Sequence, residues 1–258
     1  MNNRQPLPHD PLPDGASAFL MTARWNIEDH IISNDGAFPP AMFAKFSGLS
    51  VWAESKGLTI RSLDGHTLDN ACLVVNEEYG EERYEAVWVR VRYRRYRDAM
   101  EVHIRRCFIP RGTIGPNGIE RHDPLPEHVA RMDLALKHIH GDHVINVGRL
   151  KTHHSEGWVM LLPVIKESNS GYGSKIERRL DIIDRHVMRV DVDEIILLKL
   201  YGGTKPPQDR ESLDKIMSML HGSILNFPHK QRILESAKKR YLEMVPLANE
   251  SRYPSDGS

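Results

Sequence analysis

YEAVWVRVRYRRYRDAMEVHIRRCFI, residues 84 to 109, is the stretch on which the fold turns. Val87, Val89, Val91 and Tyr93 fall on one face of an extended chain, and Trp88, Arg90, Arg92 and Arg94 fall on the other. A turn centred on Arg97-Asp98 folds the second half back as a partner strand. Val91 then stands opposite Ile104, Tyr93 opposite Val102, Arg92 opposite His103, Arg90 opposite Arg105 and Arg94 opposite Glu101. One face comes out apolar apart from Arg106 and the other polar, so the spacing predicts a β-hairpin over Tyr84–Ile109.

The same stretch concentrates charge. Between Arg83 and Arg111 there are nine arginines and no lysine against Glu85, Asp98 and Glu101, a local +6 in a chain whose 35 Lys+Arg and 35 Asp+Glu cancel. A field that segregated acts locally even though the total vanishes. Arginine on a solvated strand face would also protect a sheet edge, but lysine serves that purpose at least as well. A guanidinium fork suits phosphate oxygens, and Trp88 or Tyr96 would supply a base-stacking platform. A two-stranded ribbon also fits a DNA major groove, and an open sheet face can carry RNA bases. An acidic protein surface is a further class of partner for the same face.

Upstream, residues 1–15 hold four of the 16 prolines and predict a flexible arm outside the fold. Residues 16–25 are β-compatible, 41–56 read as a helix closed by Gly57, and Leu58–Leu63 and Ala71–Asn76 read as short strands. Downstream, Asp123-Pro124 opens a helix striped by Val129, Met132, Leu136 and Ile139 and closing at Gly141. Val144–Val147 and Trp158–Ile165 then read as a second hairpin. Ser174 and Glu177 form a capping box for a helix striped by Ile176, Leu180, Ile183 and Val187, and Met188–Tyr201 reads as a strand. After the linker TKPPQD, Leu213, Ile216, Met217, Leu220 and Ile224 stripe one helix, and Ile233, Leu234, Ala237 and Tyr241 stripe another.

Strand, helix, several strands, helix, strands is an α+β order with a largely antiparallel sheet, and two ferredoxin-like halves fit it. The expected organisation is a proline-rich arm (1–15), an α+β core (16–203), a C-terminal helical hairpin (208–245) and a disordered tail (246–258). Composition narrows the function classes. A chain of 258 residues with zero net charge makes no long-range field toward a membrane or polyanion. Its apolar runs, such as Ile195–Leu198, are short, and prolines stand where a signal peptide needs an apolar segment, so a cytoplasmic protein without a membrane partner is expected. Cys72 and Cys107 form no CxxC pair and indicate neither a disulfide framework nor a structural zinc.

His138-Ile139-His140-Gly141-Asp142-His143 resembles the HxHxDH signature of metallo-β-lactamase-fold hydrolases. That resemblance implies Zn²⁺ or Mn²⁺ held by His138, His140, Asp142 and His143, generating a hydroxide nucleophile. Helical periodicity runs into His140, however, whereas that family sets the motif after a buried strand. The family's upstream acidic strand and downstream glycine-flanked histidine are also missing. Cationic side chains in the last turn of a helix, with Gly141 just beyond it, account for the same residues. The basic loop GRLKTHHSEG resembles, over about a dozen residues, the glycine-containing loop of ferredoxin-like RNA-binding proteins of CRISPR systems. It lacks their usual second glycine close to Gly157, and no residue role is carried over. The acids at Asp181, Asp184, Asp191, Asp193 and Glu194 read as solvated faces.

The leading expectation is therefore a non-catalytic nucleic-acid-binding protein, within a larger assembly that includes other subunits and with no cofactor. Trp88, Arg90, Arg92, Arg94, Arg105, Arg149 and Lys151 would contact the nucleic acid. The alternative is a metal-dependent hydrolase or nuclease at 138–143.

Overall fold

The computed structural model describes residues 27–76, 85–108, 114–115, 118–119, 126–201 and 205–245. The expected arm at 1–15, the strand at 16–25, the Asp123-Pro124 cap, Arg83, Arg111 and the tail at 246–258 lie outside them. Among the described residues nine helices surround an antiparallel seven-stranded sheet, an α+β fold.

The chain opens with α1 (27–33), which buries Ile27 and Ile31 and ends at Gly36 with φ of 82°. Then come β1 (Pro40–Phe43) and α2 (Phe46–Ser55), the latter ended by Gly57 at φ of 65°. The expected helix over 41–56 is thus corrected at its start. Pro39-Pro40 disfavours helix there, and all four residues of β1 are buried between β8 (Trp158–Ile165) and β9 (Arg189–Asp191). Next are β2 (Thr59–Ser62), β3 (Ala71–Val75) and β4 (Glu85–Arg90), in the order β2-β3-β4-β8-β1-β9.

The second arm of the expected hairpin is a helix, α3 (Tyr96–Phe108). Ala99, Met100, His103 and Ile104 are its buried side, an i, i+1, i+4, i+5 spacing that a strand reading splits across two faces. Two ion pairs at helical spacing, Arg95 with Asp98 at 2.9 Å and Glu101 with Arg105 at 2.7 Å, brace the exposed side. Without a second arm, β4 takes its partners from distant sequence: Trp88 stands opposite Cys72 of β3 and Met160 of β8 (Trp158–Ile165).

After the short pair β5 (Ile114–Gly115) and β6 (Gly118–Ile119) comes α4 (Pro126–His138), which hands directly to β7 (Ile139–His143). The second hairpin is therefore β7 with β8, in a register setting Ile139 opposite Ile165 and His143 opposite Leu161. Its strand begins five residues earlier than Val144. Because β4 fills one edge of β8, β1 and β7 share the other edge, β1 at Trp158–Val159 and β7 at Leu161–Ile165. Between β7 and β8, α5 (Val147–Leu150) is capped by the Asn146 side chain, which accepts from Gly148 N at 2.8 Å.

Beyond β8, α6 (Lys166–Lys175) contains Gly171-Tyr172-Gly173. Glu177–Arg179 form only a 3₁₀ turn, because the Glu177 carboxylate turns inward to Lys199 instead of capping a helix. The expected strand Met188–Tyr201 divides into β9 (Arg189–Asp191) and α7 (Glu194–Tyr201). Asp193 is the helix start: its Oδ1 accepts from Ile195 N and Ile196 N, both at 3.1 Å. The expected helical hairpin is present as α8 (Arg210–Ser223) and α9 (Lys230–Met244), packed on α7, with a reciprocal cap between Asp209 and Ser212. No described helix is long and apolar enough to cross a membrane.

Candidate nucleic-acid interface

Arginines begin where β4 leaves the sheet. Arg90 N donates to Asn70 O at 2.9 Å and Val91 N to Gly157 O at 2.9 Å, so the strand end is clamped between the loops at 63–70 and 151–157. Tyr93 N donates back to Arg90 O at 2.8 Å, turning the chain into α3. Arg90, Arg92, Arg94, Arg95 and Arg97 are carried on eight residues of this turn. Arg92 and Arg95 have side chains 66% and 61% exposed, and Arg94 and Arg97 are exposed as well. Two carboxylates answer them. Glu156 lies 3.0 Å from Arg90 and 3.5 Å from Arg92, and Asp98 pairs with Arg95. Arg94 and Arg97 have no acidic partner among the described residues. The Arg97 guanidinium sits 5.8 Å from the centre of the Tyr96 ring.

The aromatic groups of this region are committed to the protein. Trp88 is fully buried, 5.6 Å from Phe43 and 6.0 Å from Trp52 between ring centres, which corrects its expected role as a stacking platform. A strand paired on both edges and covered on both faces has no solvent side for an indole. Tyr93 Oη lies 2.5 Å from His66 Nδ1. Burial, and then the charge of Arg95, hold the His66 pKa below its ordinary value. Tyr96 covers His143, ring centres 4.2 Å apart.

The other expected contacts divide. Lys151 is exposed, and its charge helps to hold the His143 pKa down. Arg149 faces elsewhere: it is half-buried, its Nε donates to Asp181 O at 2.8 Å, and burial pulls its pKa down. Arg105 is held on α3 by Glu101 and by Asp133 at 3.6 Å. Glu156, the residue that organises Arg90 and Arg92, stands inside GRLKTHHSEG. Nothing in sequence spacing pairs it with β4.

The histidine cluster does not assemble. His138 ends α4, and along β7 the burial alternates, sending His143 and Gly141 toward α3 and Asp142 toward α7. Asp142 is engaged by the Lys199 ammonium, which also donates to Glu177 Oε1 at 2.8 Å. Among the described residues no group of three or more His, Cys, Asp or Glu side chains is placed to hold a metal ion. These residues therefore do not fit the zinc or manganese site that the motif implies, and the helix-end reading of His140 and Gly141 is replaced by a buried strand.

No protein-family model, curated protein or solved structure matches this chain.

Behind the turn, His143 is buried and its Nε2 has no hydrogen-bond partner among the described residues. Burial first, then the charges of Lys151 and Lys199, push its pKa from 6.5 down to about 3. The unfolded chain thus binds a proton that the folded chain refuses, so stability falls as pH drops from 6.5 toward 3. For this group alone the expected loss by pH 5 is about 2 kcal/mol, at ~1.4 kcal/mol per pH unit. His30, pushed down to about 4 chiefly by burial, acts in the same direction. Urea denaturation of His143→Phe at pH 5 and pH 7 isolates the His143 share: the variant should lose distinctly less stability than wild type between those two values. Equal losses would mean that His143 titrates normally.

Proposed function

We propose that this chain is a non-catalytic nucleic-acid-binding protein that grips the sugar–phosphate backbone with the arginine turn at residues 90–97. The observation that carries this reading is five guanidinium groups on one clamped turn, with Glu156 and Asp98 as their acidic partners among the described residues. Arginine matches phosphate through a planar fork, and a pre-formed turn lowers the cost of ordering those side chains on binding. With Trp88 buried and Tyr93 and Tyr96 engaged, the chemistry favours phosphate contact over stacking on aromatic rings. Lys151 extends the footprint, whereas Arg105 and Arg149 belong to intramolecular contacts.

Salt dependence tests the proposal. About four phosphate contacts on duplex DNA give a slope of log K against log salt near −3.6, at ~0.9 per phosphate. The combined variant R92Q/R94Q/R95Q/R97Q, which removes exposed side chains, should fold normally. It should also lose about a hundredfold or more in affinity for labelled DNA and RNA at moderate salt. Unchanged binding in that variant would overturn the assignment.

A further inference from the structure

Glu156 holds a position that the turn's chemistry reserves for an anion. Arg90 and Arg92 lie two apart along the chain and converge on its two carboxylate oxygens, Arg90 Nη2 at 3.0 Å from Oε2 and Arg92 Nη1 at 3.5 Å from Oε1. The carboxylate is itself 58% exposed, so water and ligand both reach it. Its placement is built in by the backbone beside it. Gly157 accepts from Val91 N, and a Cβ at Gly157 would come within 2.9 Å of His154 O and 3.0 Å of Phe43 O, so this corner admits only glycine without rearrangement. The Arg90 guanidinium is not saturated by the contact, since its buried Nε has no hydrogen-bond partner among the described residues.

The geometry points to a phosphate site between Arg90 and Arg92 in which Glu156 is the resident competitor: a backbone phosphate displaces the carboxylate and takes over both guanidinium groups. This rests on the proposed reading of the turn as a nucleic-acid contact, and it adds which phosphate position is masked and by what. A carboxylate and a phosphate diester each present two acceptor oxygens to the same pair of forks. An exposed ion pair is worth only about 0–1 kcal/mol, so the carboxylate holds the site against solvent yet yields to a polyanion that offers several phosphates at once. The exchange raises the affinity threshold of the turn and disfavours short or isolated phosphates.

Glu156→Gln is the test, with labelled 20-mer single- and double-stranded DNA and RNA as probes across a salt series. The affinity of the variant should rise about threefold to fivefold, and its salt slope should steepen by up to about 0.9, because no displaced carboxylate remains to take up a cation when the phosphate binds. Glu211→Gln on α8 removes the same formal charge at a site apart from the turn and should leave affinity within twofold. In an R90Q/R92Q background the gain from Glu156→Gln should vanish. A gain that persists there, or one matched by Glu211→Gln, would show bulk charge at work and overturn the masked site. Wild-type binding that is strong and indifferent to Glu156→Gln would overturn the masked site while leaving the function intact. Failure of every protein, Glu156→Gln included, to bind any of the four probes would overturn the functional reading itself.

Discussion

Replacing Lys199 by alanine should destabilise the folded protein by about 3–5 kcal/mol, the range for stripping one member from a buried ionic cluster. Lys199 is 94% buried within α7, and its ammonium contacts Asp142 from β7 and Glu177 from the 3₁₀ turn after α6. Burial alone would pull its pKa down, but the two carboxylates more than offset this and hold it above 10.5. Its contribution is therefore fully present below 10.5 and is lost only as pH rises through the higher folded value. One ammonium faces two carboxylates, which leaves a negative charge uncompensated. Glu177 accordingly sits above the ordinary carboxylate range, pushed up by burial and by Asp142 against the attraction of Lys199. Removing the lysine leaves two like charges in a dry site, so Lys199→Met, which keeps most of the volume, should cost nearly as much as alanine. The triple replacement K199M/D142N/E177Q should recover at least half of that loss, and the penalty of Lys199→Ala should shrink as pH falls and Glu177, already raised, takes up a proton. Urea denaturation reads all three. A loss below about 1 kcal/mol for both single variants would show that the cluster is hydrated and energetically minor.

This cluster also marks where sequence reading stops. Asp142, Glu177 and Lys199 come from three separated segments, and no spacing rule links them. The α+β class, the strands near 59–62 and 71–75, and the paired helices α8 and α9 were legible because turn residues and amphipathic stripes bound each of them. Residues 96–108 were not, since Val102, His103 and Ile104 satisfy a period of two as well as a helical one. The deciding residues, Ala99 and Met100, are small or flexible enough to suit either. Residues 195–201 are buried at every position, and a helix surrounded by core has no stripe to detect. The arginine concentration was visible in composition. Its division into a turn at 90–97 and intramolecular pairs at Arg105 and Arg149 depends on Glu156, Asp133 and Asp181, which are close only in space.

Gly141→Ala should cost about 3 kcal/mol, the top of the usual ~1–3 kcal/mol range for overpacking a well-filled core. Sequence spacing sets Gly141 just past a helix end, where its freedom to turn would matter, yet it lies in mid-strand and serves by lacking a side chain. A Cβ there would stand 2.5 Å from Met100 Cβ and 3.0 Å from its Cγ, so α3 must move away from β7 to admit it. Met100 Cβ is fixed by the α3 backbone, and rotamer change cannot relieve the contact. The loss should therefore persist in a Met100→Ala background, because alanine keeps the offending atom. Tyr96 and Arg97 open α3, and Tyr96 rests on His143 two residues beyond Gly141. A displacement of α3 should thus reach the arginine turn, and Gly141→Ala should weaken nucleic-acid binding severalfold at temperatures where the variant is still folded. An alanine variant within about 0.5 kcal/mol of wild type would mean that α3 and β7 are not in contact, and the link from the core to the turn would fall with it.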